Sequence, residues 1–480
     1  MSQTINTNAT EKLPAKVKFF AASAALGGFL FGFDASVING ANTGFQETFH
    51  LSAAQAGASS AIALLGSAVG AFFAGKFSDK YGRRNTMLVA AVMFFISALG
   101  TGFAPSNGAL EFWRVVGGIG IGIASVIAPG YISEIAPAKF RGRLASLQQM
   151  MITIGIFVVL LTNAMFASAA HGDAAGKLGG LEAWRWMFLL GVLPAAIYGG
   201  LAWKLPESPR FYLLNGQVDQ AKDVLDQVNE GNTAESNRQI ESIMTDIKND
   251  QSAPALGDLF KNKVVWLGIA LAGFQQLVGI NVIMYYSTNL FQQAGFNNPF
   301  WISFLVGLVN MGTTVLAIML VDKWGRKKLL LAGAAGMAVT QAMVAIAFTK
   351  ADSAGTITSG GFKFLAAAGV LLYIVSFAIS WGPIVWVLLG EMFNNKIRAV
   401  AIGIGGVSNW LVNYLISVTF PVMREWNSVA TFFIYAAFAV IGGVLVYFLV
   451  PETKGKELEE INFDNPRGFG DEEPHKVQVH

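Results

Sequence analysis

Cysteine is absent from the 480 residues, which excludes disulfides, thiol catalysis and Cys-ligated zinc. That absence says nothing of compartment, since reducing and oxidising spaces both hold Cys-free proteins. Only four histidines occur, His50, His171, His475 and His480, all in connecting or terminal stretches. No metal cluster is expected from them, and no cofactor. Charge is scarce too, at 13% of residues against ~25% in soluble domains. A net charge of +3 over so few ionisable groups leaves no basic face for nucleic acid. Apolar residues fill the chain instead. A hydrophobic share of 54%, with 53 Gly and a mean hydropathy of +0.51, excludes an ordinary soluble globular protein.

A hydrocarbon core of ~30 Å needs ~20 apolar residues per helix. Twelve such runs follow one another, at about 17–38, 54–75, 86–104, 110–133, 144–168, 186–204, 264–292, 300–321, 329–349, 364–390, 399–420 and 428–450. They predict an all-α membrane protein of twelve transmembrane helices in a lipid bilayer. Lys12, Lys16 and Lys18 precede the first run, but no small-residue cleavage site follows, so it reads as a retained span. An even number of spans puts both ends on one face. The loops and tails of that face hold 27 of the 33 Lys and Arg, the other face holds 5, and Arg114 lies within a span. Both termini are therefore expected in the cytoplasm, the spans crossing the plasma (inner) membrane.

The chain repeats itself. DKYGRRN at 79–85 returns as DKWGRKK at 322–328, and Glu134 with Arg141 returns 257 residues later as Glu391 with Arg398. PESPR at 206–210 returns as PETKG at 451–455. Three matched landmarks in order mean two six-helix halves. The expected division is a tail at 1–16, a first half at 17–204, a polar linker at 205–263 with short amphipathic helices such as 217–229, a second half at 264–450, and a tail at 451–480. Parallel six-span repeats hold substrate where they meet, near the midplane, which is how a major facilitator transporter is built. Asp79, Arg83, Arg84, Glu134, Arg141, Glu207 and Arg210, with Asp322, Arg326, Glu391, Arg398 and Glu452, stand at cytoplasmic helix ends. There they form a salt-bridge network across neighbouring helices when the inner side closes. The alternative, that they only set topology, would leave the repeated acids unnecessary.

Charges deep in a span are costly and mark function. Two occur, Asp34 and Arg114, and a rise of ~1.5 Å per residue puts both roughly 24 Å above the inner face. An acid that alternates between an arginine and a proton is a coupling site; a permanent structural ion pair is the other reading. Gln275, Asn310 and Asn409 fall at roughly 15–17 Å, the midplane, with Gln276, Asn281, Asn413 and Gln149 on the same helices or on span 5. Amides and the indole of Trp386 suit a neutral polyhydroxylated ligand. For any single amide, helix-to-helix hydrogen bonding competes with that reading. Pro383, beside Trp381 and Gly382, and Gly279, before Asn281, supply hinges. Gly117, Gly118, Gly120 and Gly122 mimic a dinucleotide fingerprint but follow no strand, so they read as close helix packing.

Taken together, GGFLFGFD in span 1, DKYGRR, the Gly run after Arg114, ISEIAPAKFRGR, PESPR, FQQLVGINVIMYY, VDKWGRKK, WGPIVWVLLGE and PETKG resemble the sugar porter family of the major facilitator superfamily, from Phe19 to Gly455. The resemblance implies sugar contacts at Gln149, Gln275, Gln276, Asn281, Asn310, Trp386 and Asn409. It implies an outer gate at Tyr285 and Tyr286, to which the Gly382–Pro383 hinge read above from its chemistry is added. Asp34 matches the acid of proton-coupled members, with Arg114 as its partner. Ile156 stands where the similar xylose symporters carry a sugar-contacting Gln, which points away from xylose towards a hexose or a cyclic polyol such as inositol.

The expected function is proton-coupled import of a monosaccharide by a functional monomer. The rivals are a myo-inositol or pentose symporter, a facilitative uniporter, in which Asp34 is structural, and a sugar sensor on a transporter scaffold. An enzyme is not expected, since no nucleophile, His base or metal-ligand group occurs at depth.

Overall fold

The computed structural model describes residues 13–454 except 138–139, 251–258, 353–354 and 394–396. A helix occupies each expected crossing. Spans 1 to 5 are Ala15–Thr48, Ala53–Tyr81, Arg83–Gly102, Asn107–Ile135 and Arg141–Ala169. Span 6 is Ala183–Leu189 and Val192–Trp203, stepped just before Pro194, which has no N–H to return to Leu190; the Leu193 N–H bonds that carbonyl instead at 3.1 Å. Span 7 is likewise in two pieces, Lys263–Leu277 and Ile280–Gln293, and spans 8 and 9 are Pro299–Trp324 and Arg326–Phe348. Span 10 is Gly360–Ala378 followed by Trp381–Met392. The last stretch, Arg398–Leu449, has 52 residues, about twice what a bilayer needs, and extended backbone at Asn427 (φ −167°, ψ 104°) divides it into spans 11 and 12.

Between spans 6 and 7 lie helices Pro209–Leu214, Val218–Val228 and Thr233–Asp250. Leu213, Ala221, Leu225 and Ile240 gather there into a small apolar cluster of their own. Outside the helices, Lys177–Leu178 pairs antiparallel with Leu181–Glu182 in the loop before span 6.

Span 1 is longer than its sequence suggests. It runs ten residues past the expected end at 38, because Asn39 and Asn42 are buried helix residues and not the start of a loop. Asn42 donates to the Ser60 hydroxyl at 2.9 Å, and Asn39 donates across to span 7, to Ser287 and the Met284 carbonyl, each at 2.7 Å. Polar groups satisfied inside the bundle do not need water.

Glycines let the backbones touch. A Cβ on Gly118 or Gly122 would collide with the carbonyls of Ala63 or Ser67 on span 2, so the glycine run of span 4 is a packing surface. Gly32 on span 1 and Gly155 on span 5 stand against each other's helices in the same way.

The two halves are joined towards the face opposite the described ends. Trp301 donates to Ser168 at 2.9 Å, Phe157 meets Phe304 at 5.3 Å, and Gly57 packs on Val418 and Pro421. Asn39, Ser287, Thr288 and Ser303 form a buried polar cluster between spans 1, 7 and 8 on the same side.

Candidate transport site

Asp34 and Arg114 meet. The Arg114 guanidinium donates through Nη1 to Asp34 Oδ1, with side chains 3% and 9% exposed. The guanidinium also lies over the Phe188 ring, 5.5 Å from its centroid, while its Nε is buried without a protein partner among the described residues. A small cavity adjoins the pair, with room for about one water, lined by Phe31, Ser60, Tyr285 and Trp410 among others. Tyr285 comes from span 7 and Trp410 from span 11, so this cavity of the first half is closed by side chains of the second.

The amides of the second half are bonded to one another. Asn281 donates to Gln276 at 2.5 Å, Gln276 to Asn409 at 3.1 Å, and Asn409 to Gln275 at 2.8 Å. Gln275 ends the chain on the carbonyls of Trp381 and Gly382, at 2.8 and 3.0 Å, and Asn409 also donates to the Ala272 carbonyl at 3.0 Å. Such a chain offers paired donors and acceptors that sugar hydroxyls exchange with. Asn310 is buried on span 8 and Gln149 half-buried on span 5, neither within these bonds. Gln148, beside Gln149, is the more buried of the two and packs against Gly28.

Two helix breaks shape this region. Gly279 adopts φ 87°, a left-handed turn that other residues rarely take, and it parts span 7 where the sequence suggests a hinge. In span 10 the break falls at Ile379 and Ser380, before the Gly382–Pro383 pair rather than at it. Pro383 then sits in the first turn of Trp381–Met392, where a missing N–H costs nothing. Trp381 is fully buried and donates to the Leu330 carbonyl at 2.9 Å, whereas Trp386 is 40% exposed. Of the two tyrosines, Tyr286 donates to the Ser417 carbonyl at 3.0 Å and packs on Phe420, while Tyr285 faces the Asp34 cavity and accepts from Asn413 at 3.5 Å.

The repeated charges form twin clamps on the face of the described ends. In the first, Arg83 reaches Glu134 at 3.1 Å and Asp79 at 2.7 Å. Glu207 accepts the backbone N–H groups of Arg83, Arg84 and Ser208 at 2.7, 3.1 and 2.8 Å, and the Ser208 hydroxyl donates to Glu134. The second repeats it: Arg326 reaches Glu391 at 2.8 Å, Glu452 accepts the N–H groups of Arg326 and Lys327 at 2.8 and 3.2 Å, and the Thr453 hydroxyl donates to Glu391 at 2.6 Å. Gly82 and Gly325, with φ 91° and 86°, let each acid press on a helix N-terminus, where its charge is favoured. Burial pushes the Glu207 carboxyl above the ordinary carboxylate range, against the pull of the N–H groups of Ser208, Arg83 and Arg84. Arg84 lies over Trp203, 5.3 Å from its ring, and the Arg210 N–H bonds Ser208. The side chains of Arg141, Asp322 and Arg398 lie outside the described residues.

Sequence reasoning missed the hydroxyls of Ser208 and Thr453, the Asn39 cluster and the place of Tyr285 beside Asp34. The first had a signal, since Ser208 and Thr453 occupy matched positions of PESPR and PETKG.

Twelve crossings with an internal repeat, and a polar interior held between the repeats, define a multi-pass membrane transporter of the major facilitator fold, not an enzyme. The chain belongs to the sugar porter family of that superfamily, and the family model described as "Sugar (and other) transporter" matches residues 20–464. It is 44% identical to the glucose transport protein of Synechocystis over 465 residues, covering 93% of this chain and 98% of the relative. It is 36% identical to the D-xylose-proton symporter of Escherichia coli K12 over 474 residues, 91% of this chain and 93% of the relative. The inward-open structure of the xylose transporter XylE from E. coli matches with a TM-score of 0.78 at 35% identity, covering 92% of this chain and 98% of that one.

Proposed function

We propose that this chain is a proton-coupled symporter that imports a monosaccharide, a hexose such as glucose, by alternating access. The observation that carries the reading is the buried Asp34–Arg114 ion pair opening on a cavity whose wall includes Tyr285. A proton arriving at Asp34 would release Arg114 and change what the second half meets there. Coupling needs that kind of contact between a titrating group and the moving half.

The bonded amides Gln275, Gln276, Asn281 and Asn409 support a neutral, hydroxyl-rich substrate, and Asn310, Gln149 and Trp386 complete the proposed sugar site. Tyr285 and Tyr286 gate it, with the breaks of spans 7 and 10 as hinges. Ile156, apolar where xylose symporters carry Gln, favours a hexose over a pentose. The similarity to a relative named as a glucose transport protein supports the same choice. The predominance of Lys and Arg on the face of the described ends supports a cytoplasmic location for that face. The twin clamps then brace the cytoplasmic ends of each half, and residues 205–263 link the halves there. One copy contains both halves, which supports a working monomer in the plasma membrane.

Tryptophan fluorescence of the purified protein, titrated with glucose, xylose and myo-inositol, tests the substrate. Saturable binding is expected, tightest for glucose. Tighter binding of xylose or inositol would replace the hexose, and no saturable response to any of the three would remove the sugar reading.

A further inference from the structure

Breaking span 7 frees a backbone carbonyl in the middle of the second half. Val278 is wholly buried and is followed by Gly279 in the left-handed region, so the helical ladder stops there. A buried carbonyl left without donors costs about 1–3 kcal/mol. Two side chains from other spans converge on it: Tyr373 of span 10 donates its hydroxyl at 2.8 Å, and Gln341 of span 9 donates Nε2 at 3.3 Å. Tyr435 of span 12 closes the remaining side, where its ring would touch a Cβ placed on Gly279. The Tyr435 hydroxyl and Gln341 Oε1 are buried without protein partners among the described residues.

The same break sets the spacing of two amides. Gln276 precedes it and Asn281 follows it, five residues apart, which on a straight helix is a rotation of about 140° and puts them on different faces. Across the break they are hydrogen-bonded at 2.5 Å. Whatever holds the break therefore holds that pair.

We propose that Gln341, Tyr373 and Tyr435 form a hinge cradle, a set of positioning residues remote from the sugar that keep span 7 broken at Val278 and so keep Gln276 and Asn281 paired for binding. The role in binding rests on the sugar reading of that pair; the role at the break does not. Tyr373→Phe removes one hydroxyl and keeps the ring, and Gln341→Met keeps the length and removes the amide. Both are made in the full chain and examined by hydrogen exchange and by glucose titration.

For Tyr373→Phe, exchange at residues 277–283 is expected to speed up roughly tenfold with spans 2 to 4 unchanged, and the glucose Kd to rise by a similar factor, the effect of one lost hydrogen bond. In an Asn281→Ala background the same change is expected to raise the Kd by less than about twofold, because sites that act through one another are not additive. Unchanged exchange at 277–283 overturns the cradle, whether or not the wild type binds sugar. Faster exchange with an unchanged Kd, or an equal Kd effect in both backgrounds, overturns the positioning role. If the wild type binds no sugar, the sugar reading fails and the exchange result alone decides the cradle. Should Tyr373→Phe not fold, Gln341→Met carries the same measurements with the same outcomes.

Discussion

Arg114 of span 4 donates directly to Asp34 of span 1, and the pair forms one wall of a cavity that Tyr285 of span 7 helps to close. The contact ties the Asp34 carboxyl to the first half. Replacing it by Asn keeps the shape and removes the titration. Asp34→Asn is expected to abolish accumulation of sugar against its gradient while exchange of sugar across the membrane continues. Counterflow uptake in vesicles checks the exchange and proton-driven uptake checks the accumulation; proton-driven accumulation by the variant would show that coupling lies elsewhere.

The amide chain predicts a graded loss. Asn409 touches three partners, Ala272, Gln275 and Gln276, whereas Asn310 stands outside the bonds. Asn409→Ala strips the Gln275 amide oxygen of its donor and the Gln276 amide N–H of its acceptor, about 1–3 kcal/mol of loss, or roughly 5- to 150-fold in affinity. Asn310→Ala is expected to cost less, since it breaks no bond of the chain. A larger loss at Asn310 in a binding titration would move the centre of the site towards span 8.

Much of this fold was legible in the sequence, and the misses have physical causes. The hydropathy runs locate the crossings because lipid imposes one length and one chemistry on each. The sequence suggests an end of span 1 at 38 because Asn39 and Asn42 look like loop residues until their partners, Ser287 and Ser60, are brought near by packing. The hinge at Gly279 was readable, since only glycine takes that backbone shape cheaply. The break before Trp381 was not, because proline marks a helix's first turn as readily as its kink. Depth counting put Gln275 and Asn409 at one level, but their bond joins residues 134 positions apart, which no local pattern encodes.

The twin clamps predict that Ser208 and Thr453 are interchangeable in kind. Ser208→Thr is expected to be nearly neutral. Ser208→Ala removes a hydrogen bond to the Glu134 carboxylate and is expected to lower stability by about 1.5–3 kcal/mol at most, less to the extent that the pair is exposed. Thermal unfolding in detergent distinguishes them, and equal melting of the Ala and Thr variants would deny the hydroxyl a role.

Glu207 gives a pH signature. Burial raises its carboxyl above the ordinary value of 4.5, so on raising the pH the unfolded chain ionises before the folded one. The folded state therefore loses stability from this group as pH rises above 4.5, until the folded carboxyl is itself ionised. Glu207→Gln has no such titration. Melting temperatures measured across that range are expected to fall for the wild type relative to the variant and then run parallel. Parallel curves throughout would mean that the carboxyl is not perturbed.

The most direct test of the whole account is uptake of labelled glucose into proteoliposomes with and without an imposed inward proton gradient. Accumulation above the outside concentration, seen only with the gradient, is the predicted result. Equilibration to the outside concentration under both conditions would contradict it, making the carrier a facilitator and the Asp34–Arg114 pair a structural tie between two helices.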